Sequence, residues 1–113
     1  MKTFKLKDFV GGWFVGDFDP TIIKTTGAEV CIKHYKAGFT ESPHVHKVAE
    51  EVTVIISGIV HIDGVTYQDG DVILIEKNEA IDFFAVTDTI TCVVKVPSVK
   101  GDKYVVDKPQ RQS

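Results

Sequence analysis

Residues 38–58, GFTESPHVHKVAEEVTVIISG, decide the fold and concentrate the chemistry. Side chains alternate between the two faces of an extended strand, so His44 and His46 point the same way and stand close enough to share one metal ion. Alone, the pair is only half a site, since two histidines at this spacing also occur on solvated edge strands. The next feature strengthens it: Glu50 and Glu51 enter an apolar run, 52–56, where a carboxylate needs a partner or water. A bound cation would provide one. Two imidazoles and a carboxylate suit Fe(II), Mn, Co, Ni or Zn and leave coordination positions open for substrate or water.

Outward from this segment, turn residues recur at short intervals: Gly11-Gly12, Asp19-Pro20, Gly38, Pro43, Gly58, Asp63-Gly64, Asp69-Gly70, Lys77-Asn78 and Thr87-Asp88. They bound expected strands at 12–16, 28–36, 44–47, 50–57, 59–63, 65–68, 71–76, 81–86 and 89–96. No helix is expected between Ala28 and Pro97. The apolar residues lean towards Val, Ile and Phe, with Thr beside them, as suits a pleated surface. Many short strands separated by turns predict an all-β chain, an antiparallel barrel or sandwich of the jelly-roll kind. There is no internal repeat. After Pro97, Lys100-Gly101-Asp102-Lys103 breaks the pattern and 104–106 is a candidate last strand. Residues 1–106 are expected to form a single domain and 107–113 a disordered tail.

The 113 residues, 43% of them hydrophobic, allow one compact core and are too few for two ordinary domains. A net charge of −3 supplies no broad positive field, so neither nucleic acid nor an anionic membrane is expected as a partner. The only arginine is Arg111, in the tail. Within the folded region no guanidinium fork can grip a phosphate or carboxylate, and lysines would do that work alone. Cys31 and Cys92 sit in apolar runs without metal or redox spacing and read as buried free thiols. Lys2, Lys5 and Lys7 interleave with Phe4, Leu6 and Phe9, leaving no signal-peptide core, and no run approaches a membrane span. A cytoplasmic location is the expectation.

The central segment resembles the first motif of the cupins. That motif has Gly, five residues, His-x-His, three or four residues, Glu, six residues, Gly; here it is met by Gly38, His44-Val45-His46, Glu51 and Gly58. The resemblance covers roughly residues 28–97 and implies a double-stranded β-helix with His44, His46 and Glu51 as metal ligands inside it. Strand alternation conflicts with part of this. Glu50 shares a face with Val52, Val54 and Ile56, so burial pattern alone would send Glu50 inwards. The motif's spacing selects Glu51, provided that the apolar face is the outer one, meeting a neighbouring subunit or the N-terminal segment. The second cupin motif begins correctly with Gly70-Asp71, then departs: Glu76 and Asn78 replace its Pro and Gly, and Ile81 replaces its histidine. The usual fourth ligand is therefore missing. Asp82 is the nearest replacement if a bulge shifts the strand by one residue; His34, on a face with Val30 and Ile32, is another.

Three functions compete. The first is a metal-dependent cupin using Fe, Mn, Ni or Zn on a small molecule, with oxygenation, isomerisation, epimerisation or lysis as the chemistry that the resemblance implies; Glu50, His34 and Tyr35 are its candidates for proton transfer. The second is a metal-free acid–base enzyme, because His44-Val45-His46-Lys47 resembles the run of small sugar-nucleotide ketoisomerase cupins; the missing arginine argues against its diphosphate substrates. The third is a ligand-binding barrel without catalysis. His61, beside the Asp63-Gly64 turn, is expected in solvent. Phe83, Phe84, Tyr35, Phe39 and Trp13 are core residues or the rim of a pocket. A homodimer is expected, as small cupins commonly pair through sheet edges and a two-fold dimer is the commonest oligomer.

Overall fold

The computed structural model describes residues 1–107; residues 108–113, most of the expected tail, lie outside the described residues, as does Arg111. Two single 3-10 turns, Leu6–Asp8 and Val10–Gly12, precede twelve strands. These are β1 Trp13–Gly16, β2 Ile23–Lys24, β3 Glu29–Tyr35, β4 Thr40–Glu41, β5 His44–Val45, β6 Glu50–Ser57, β7 Ile59–Ile62, β8 Val65–Gln68, β9 Val72–Ile75, β10 Phe83–Ala85, β11 Thr89–Val96 and β12 Tyr104–Val105. All nine expected strands appear within about two residues. The one expected at 44–47 stops at Val45 because the next backbone donors turn towards a carboxylate described below. The short strands β2 and β4 were not foreseen; two-residue pairings carry no periodicity to read.

One sheet has the order β2-β1-β3-β11-β6-β9 and a second the order β4-β10-β7-β8, while β5 and β12 form a small ribbon. All pairings are antiparallel except β1 with β2. The sheets face one another through Ile55 of β6, Val60 and Ile62 of β7, and Phe83 and Ala85 of β10, with Tyr35, Tyr67, Ile73 and Ile81 packed around them. This apolar plug closes one end of the barrel and leaves the other end as a cavity. Two turns fix the register. Asp63 and Gly64 both take positive φ, as a two-residue hairpin between Ile62 and Val65 requires. Gly58, with φ 107°, lets β6 turn into β7 where a Cβ would lie 2.6 Å from the Asp88 carbonyl oxygen.

The polarity of the large sheet is inverted relative to a simple sandwich. Facing the interior are Glu51, Thr53 and Ile55 of β6, Thr89, Thr91, Val93 and Lys95 of β11, and Glu29, Cys31, Lys33 and Tyr35 of β3. Outside lie Val52, Val54, Val94 and Cys92, continued by Ile56, Val72 and Leu74, the last two 64% and 53% exposed. Both cysteines are free, Cys31 buried and Cys92 half-buried on the outer face. No helix among the described residues is long and apolar enough to cross a membrane. Truncating the plug tests the arrangement. Ile55→Ala is expected to cost about 2–5 kcal/mol in urea unfolding, whereas Val65→Ala, at an exposed position of β8, should cost under about 1 kcal/mol; equal costs would contradict this packing.

Candidate functional site

The open end of the barrel holds a cavity of about 520 Å³ whose lining includes His44, His46, Glu51, Tyr35, Trp13 and Lys95. His46 is its most constrained member. Its Nδ1 meets the backbone carbonyl of Asp102 at 2.5 Å, and since a carbonyl only accepts, Nδ1 carries a proton. The other nitrogen, Nε2, is buried without a hydrogen-bond partner among the described residues. It stands 3.5 Å from Oε1 of Glu51. Glu51's second oxygen, Oε2, accepts a bond from the Thr53 hydroxyl at 3.1 Å, which fixes the carboxylate's orientation. Burial works against this charge, but the adjacent His46 ring, the nearby Lys95 ammonium and the Thr53 hydroxyl outweigh it and hold the Glu51 carboxyl below its usual range.

The neighbour of His46 is placed less tightly. His44 Nδ1 donates to the Ser42 carbonyl at 3.2 Å, and the two imidazoles meet edge to face with centroids 5.0 Å apart. Partial burial lowers the His44 pKa and favours the neutral ring, the form that binds a metal. Among the described residues, no three His, Cys, Asp or Glu side chains converge closely enough to hold an ion as they stand. The convergent pair is His46 with Glu51, and His44 borders it. That pair fits a divalent ion by its donor chemistry: a buried imidazole lone pair aimed at a carboxylate oxygen, with the opposite ring nitrogen fixed by a carbonyl.

Asp102 was not legible as a site residue. It sits in a segment that reads as a break in the strand pattern, yet its carboxylate accepts the N–H groups of Lys47, Val48 and Ala49 at 2.8, 3.1 and 2.9 Å. These bonds end β5 and fold the loop into β6, while β12 pairs Val105 with His44. Burial opposes the Asp102 charge, but the three backbone donors prevail and its carboxyl is held below the usual value. Its folded form therefore binds a proton less readily than the unfolded chain, and the contribution is complete above about pH 4 and lost as pH falls through the folded value.

The remaining candidates divide by strand face. Tyr35 lines the cavity, and burial pushes its phenol well above the usual range, so it keeps its proton and serves as a hydrogen-bond donor. Glu50 is exposed, its backbone in register with Val96, and points away from the cavity. His34 is exposed beside the N-terminal turns, on the outer face of β3. Asp82 is not brought in either: no bulge precedes β10, so Ile81 and Phe83 face the cavity and the Asp82 backbone bonds to Asp63 outside it. The missing third histidine is thus replaced by an apolar wall. Trp13, Phe83 and the unforeseen Phe18 line the cavity, whereas Phe39 and Phe84 lie outside it. His61 is exposed beside the Phe84 ring, as expected. Burial pushes the Cys31 thiol up to about 12, which makes it unreactive.

No family profile and no curated relative matches the chain. Solved structures do. An uncharacterized conserved protein with a double-stranded β-helix domain from Klebsiella pneumoniae superposes with a TM-score of 0.70 at 18% identity, over 95% of this chain and 93% of that one. An RmlC-like cupin from Desulfovibrio desulfuricans gives 0.61 at 21% identity, over 69% of this chain and 79% of its own. The DMSP lyase DddQ from Ruegeria pomeroyi gives 0.68 at 13% identity, over 82% of this chain and 49% of that one. At these identities the likeness is one of fold. As a test of the anchor, Asp102→Asn is expected to lower stability by about 2 kcal/mol at pH 7, with the deficit shrinking below about pH 4; a pH-independent deficit in thermal or urea unfolding would contradict the charge-based account.

Proposed function

This chain has the cupin fold, and on that premise we propose that it acts on a small molecule in the barrel, at a divalent transition-metal site formed by His44, His46 and Glu51. One observation carries the reading. With its proton on Nδ1, His46 presents the Nε2 lone pair to a carboxylate oxygen 3.5 Å away. Two electron-rich atoms repel at that separation unless a cation lies between or beside them. A divalent Fe, Mn, Ni or Zn ion supplies that charge, with neutral His44 as the third donor. Bound there, it would contribute Lewis-acid polarisation of a carbonyl, or with Fe(II) redox chemistry.

The chain's own groups do the rest. Asp102 holds the His46 ring in one tautomer and orientation, and Thr53 does the same for Glu51. Tyr35 offers the cavity a phenol O–H as a hydrogen-bond donor, and Ile81 with Phe83 keeps water from one wall. Lyase, isomerase and oxygenase chemistry all remain compatible with this set, and a structurally similar protein is named as a lyase. The same pair also favours a second reading. A proton on Nε2 would satisfy Glu51 without metal and make His46–Glu51 an acid–base dyad, as a metal-free enzyme would use.

Metal content separates the two. Purified protein stripped with chelator and reloaded is expected to take up one equivalent of Mn, Ni, Zn or anaerobic Fe(II), read by elemental analysis. The His44→Ala, His46→Ala double variant is expected to lose it. Failure to reload, or unaltered stoichiometry in the variant, would oppose the metal site and favour the dyad.

A second copy of the chain is the occupant we propose for the outer face of the large sheet. Val52, Val54, Val72, Leu74, Cys92 and Val94 form two cross-strand apolar rows there, flanked by Ile56. Val72, Leu74 and Ile56 are 64%, 53% and 46% exposed, and a partner sheet would remove this apolar surface from water. Light scattering is expected to give a dimer mass, and Val72→Lys with Leu74→Lys a monomer. A monomeric parent protein at high concentration would overturn the pairing.

A further inference from the structure

The register of the large sheet puts two lysines inside the barrel, where long cationic side chains are unusual without carboxylate partners. Lys95 stands directly across from Glu51 on one side and Glu29 on the other. Lys33 lies on the same inward face, across from Thr91. Neither makes an ion pair within 4 Å among the described residues; those pairs involve Lys24, Lys103 and His46. Both ammonium groups instead approach Trp13, Lys33 Nζ at 5.5 Å and Lys95 Nζ at 5.0 Å from the ring. One indole therefore borders two like charges within the cavity that also holds His46 and Glu51. The ring attracts each cation only modestly; the two carboxylates beside Lys95 are not within ion-pair distance of it, and Lys33 faces only Thr91 across the sheet.

We propose that Lys33 and Lys95 bind the carboxylate of a small organic acid beside Trp13, so that the rest of the molecule extends towards His46 and Glu51. This deepens the reading above by naming a substrate class, and it rests on that cavity being the substrate site. The acids nearest the lysines do not fill the role. Glu51 is engaged by His46 and Thr53, and Glu29, in register with Lys95, makes no ion pair with it within 4 Å. A carboxylate suits the spot better than a phosphate, because the described cavity offers neither an arginine fork nor a helix N-terminus. Its volume, about 520 Å³, accommodates a small metabolite and excludes a polymer.

Trp13 is the only tryptophan in the chain, so its fluorescence reports on this spot alone. Benzoate, succinate and gluconate, each compared with its uncharged amide and with inorganic phosphate, are titrated at low ionic strength. At least one carboxylate should give a saturable change, its amide none, and added salt should weaken the response. Lys33→Met and Lys95→Met, which keep the apolar stem, should each weaken binding at least about tenfold, while Lys33→Arg and Lys95→Arg retain it. Circular dichroism verifies folding of each variant, and metal uptake by the Lys33→Met variant, measured in parallel, should be unchanged. No saturable response to any carboxylate, equal response to the amides, tighter binding of phosphate, or unaltered affinity in both Met variants would overturn the assignment. Loss of carboxylate binding with intact metal uptake supports the lysine site, and absence of metal in the parent protein leaves the binding test standing by itself.

Discussion

A buried imidazole nitrogen without a hydrogen-bond partner among the described residues faces a carboxylate oxygen across 3.5 Å, and much of the molecule is organised around holding that contact. The ring cannot turn away, because its other nitrogen is bonded to the Asp102 carbonyl. Asp102 cannot leave either, since its side chain takes three consecutive backbone donors from the loop that carries the histidine. Thr53 fixes the acid. Left without a cation, the arrangement would be electrostatically unfavourable, and a barrel interior with few water partners would sharpen the penalty. A metal ion or a proton relieves it, which is why binding and acid–base chemistry are two outcomes of one geometry.

The same constraint explains the inverted sheet. A functional interior must be polar, so the strands that build it turn Thr, Glu and Lys inwards and leave Val, Ile and Leu outside. Along β6, β11 and β3 this forms a cross-strand row, Glu51–Lys95–Glu29, in which alternating charge offsets part of the burial cost of each member. The outer face is then apolar and partly exposed, which is the basis of the proposed pairing with a second copy. The polar interior and the apolar outer face thus follow from a single choice of strand register.

Most of the fold was legible because turn residues punctuate the chain at regular short intervals, and because the Asp63-Gly64 and Gly58 turns leave few ways to pair the strands. The site was legible where residues are close in sequence: His44, His46 and Glu51 belong to one segment. What stayed hidden depends on long-range pairing. Asp102 is 56 residues from His46, and nothing local marks it as the anchor of that loop. Lys33 and Lys95 were visible only as lysines in apolar runs; their meeting at Trp13 needs the β3–β11 register. Hydrophobic alternation misdirected Glu50, because it assumes that the apolar face is the inner one. Asp82 and His34 were reached by looking for a substitute ligand, and both follow ordinary alternation to the outside.

Anomalous diffraction from crystals of the reloaded protein, collected across the absorption edge of the added metal, tests the central claim most directly. The account predicts one anomalous peak in the barrel within about 2.0–2.3 Å of His46 Nε2 and a Glu51 oxygen, with His44 as a further donor. A cavity without an anomalous peak, and with His46 Nε2 hydrogen-bonded directly to Glu51 or to water, would contradict it.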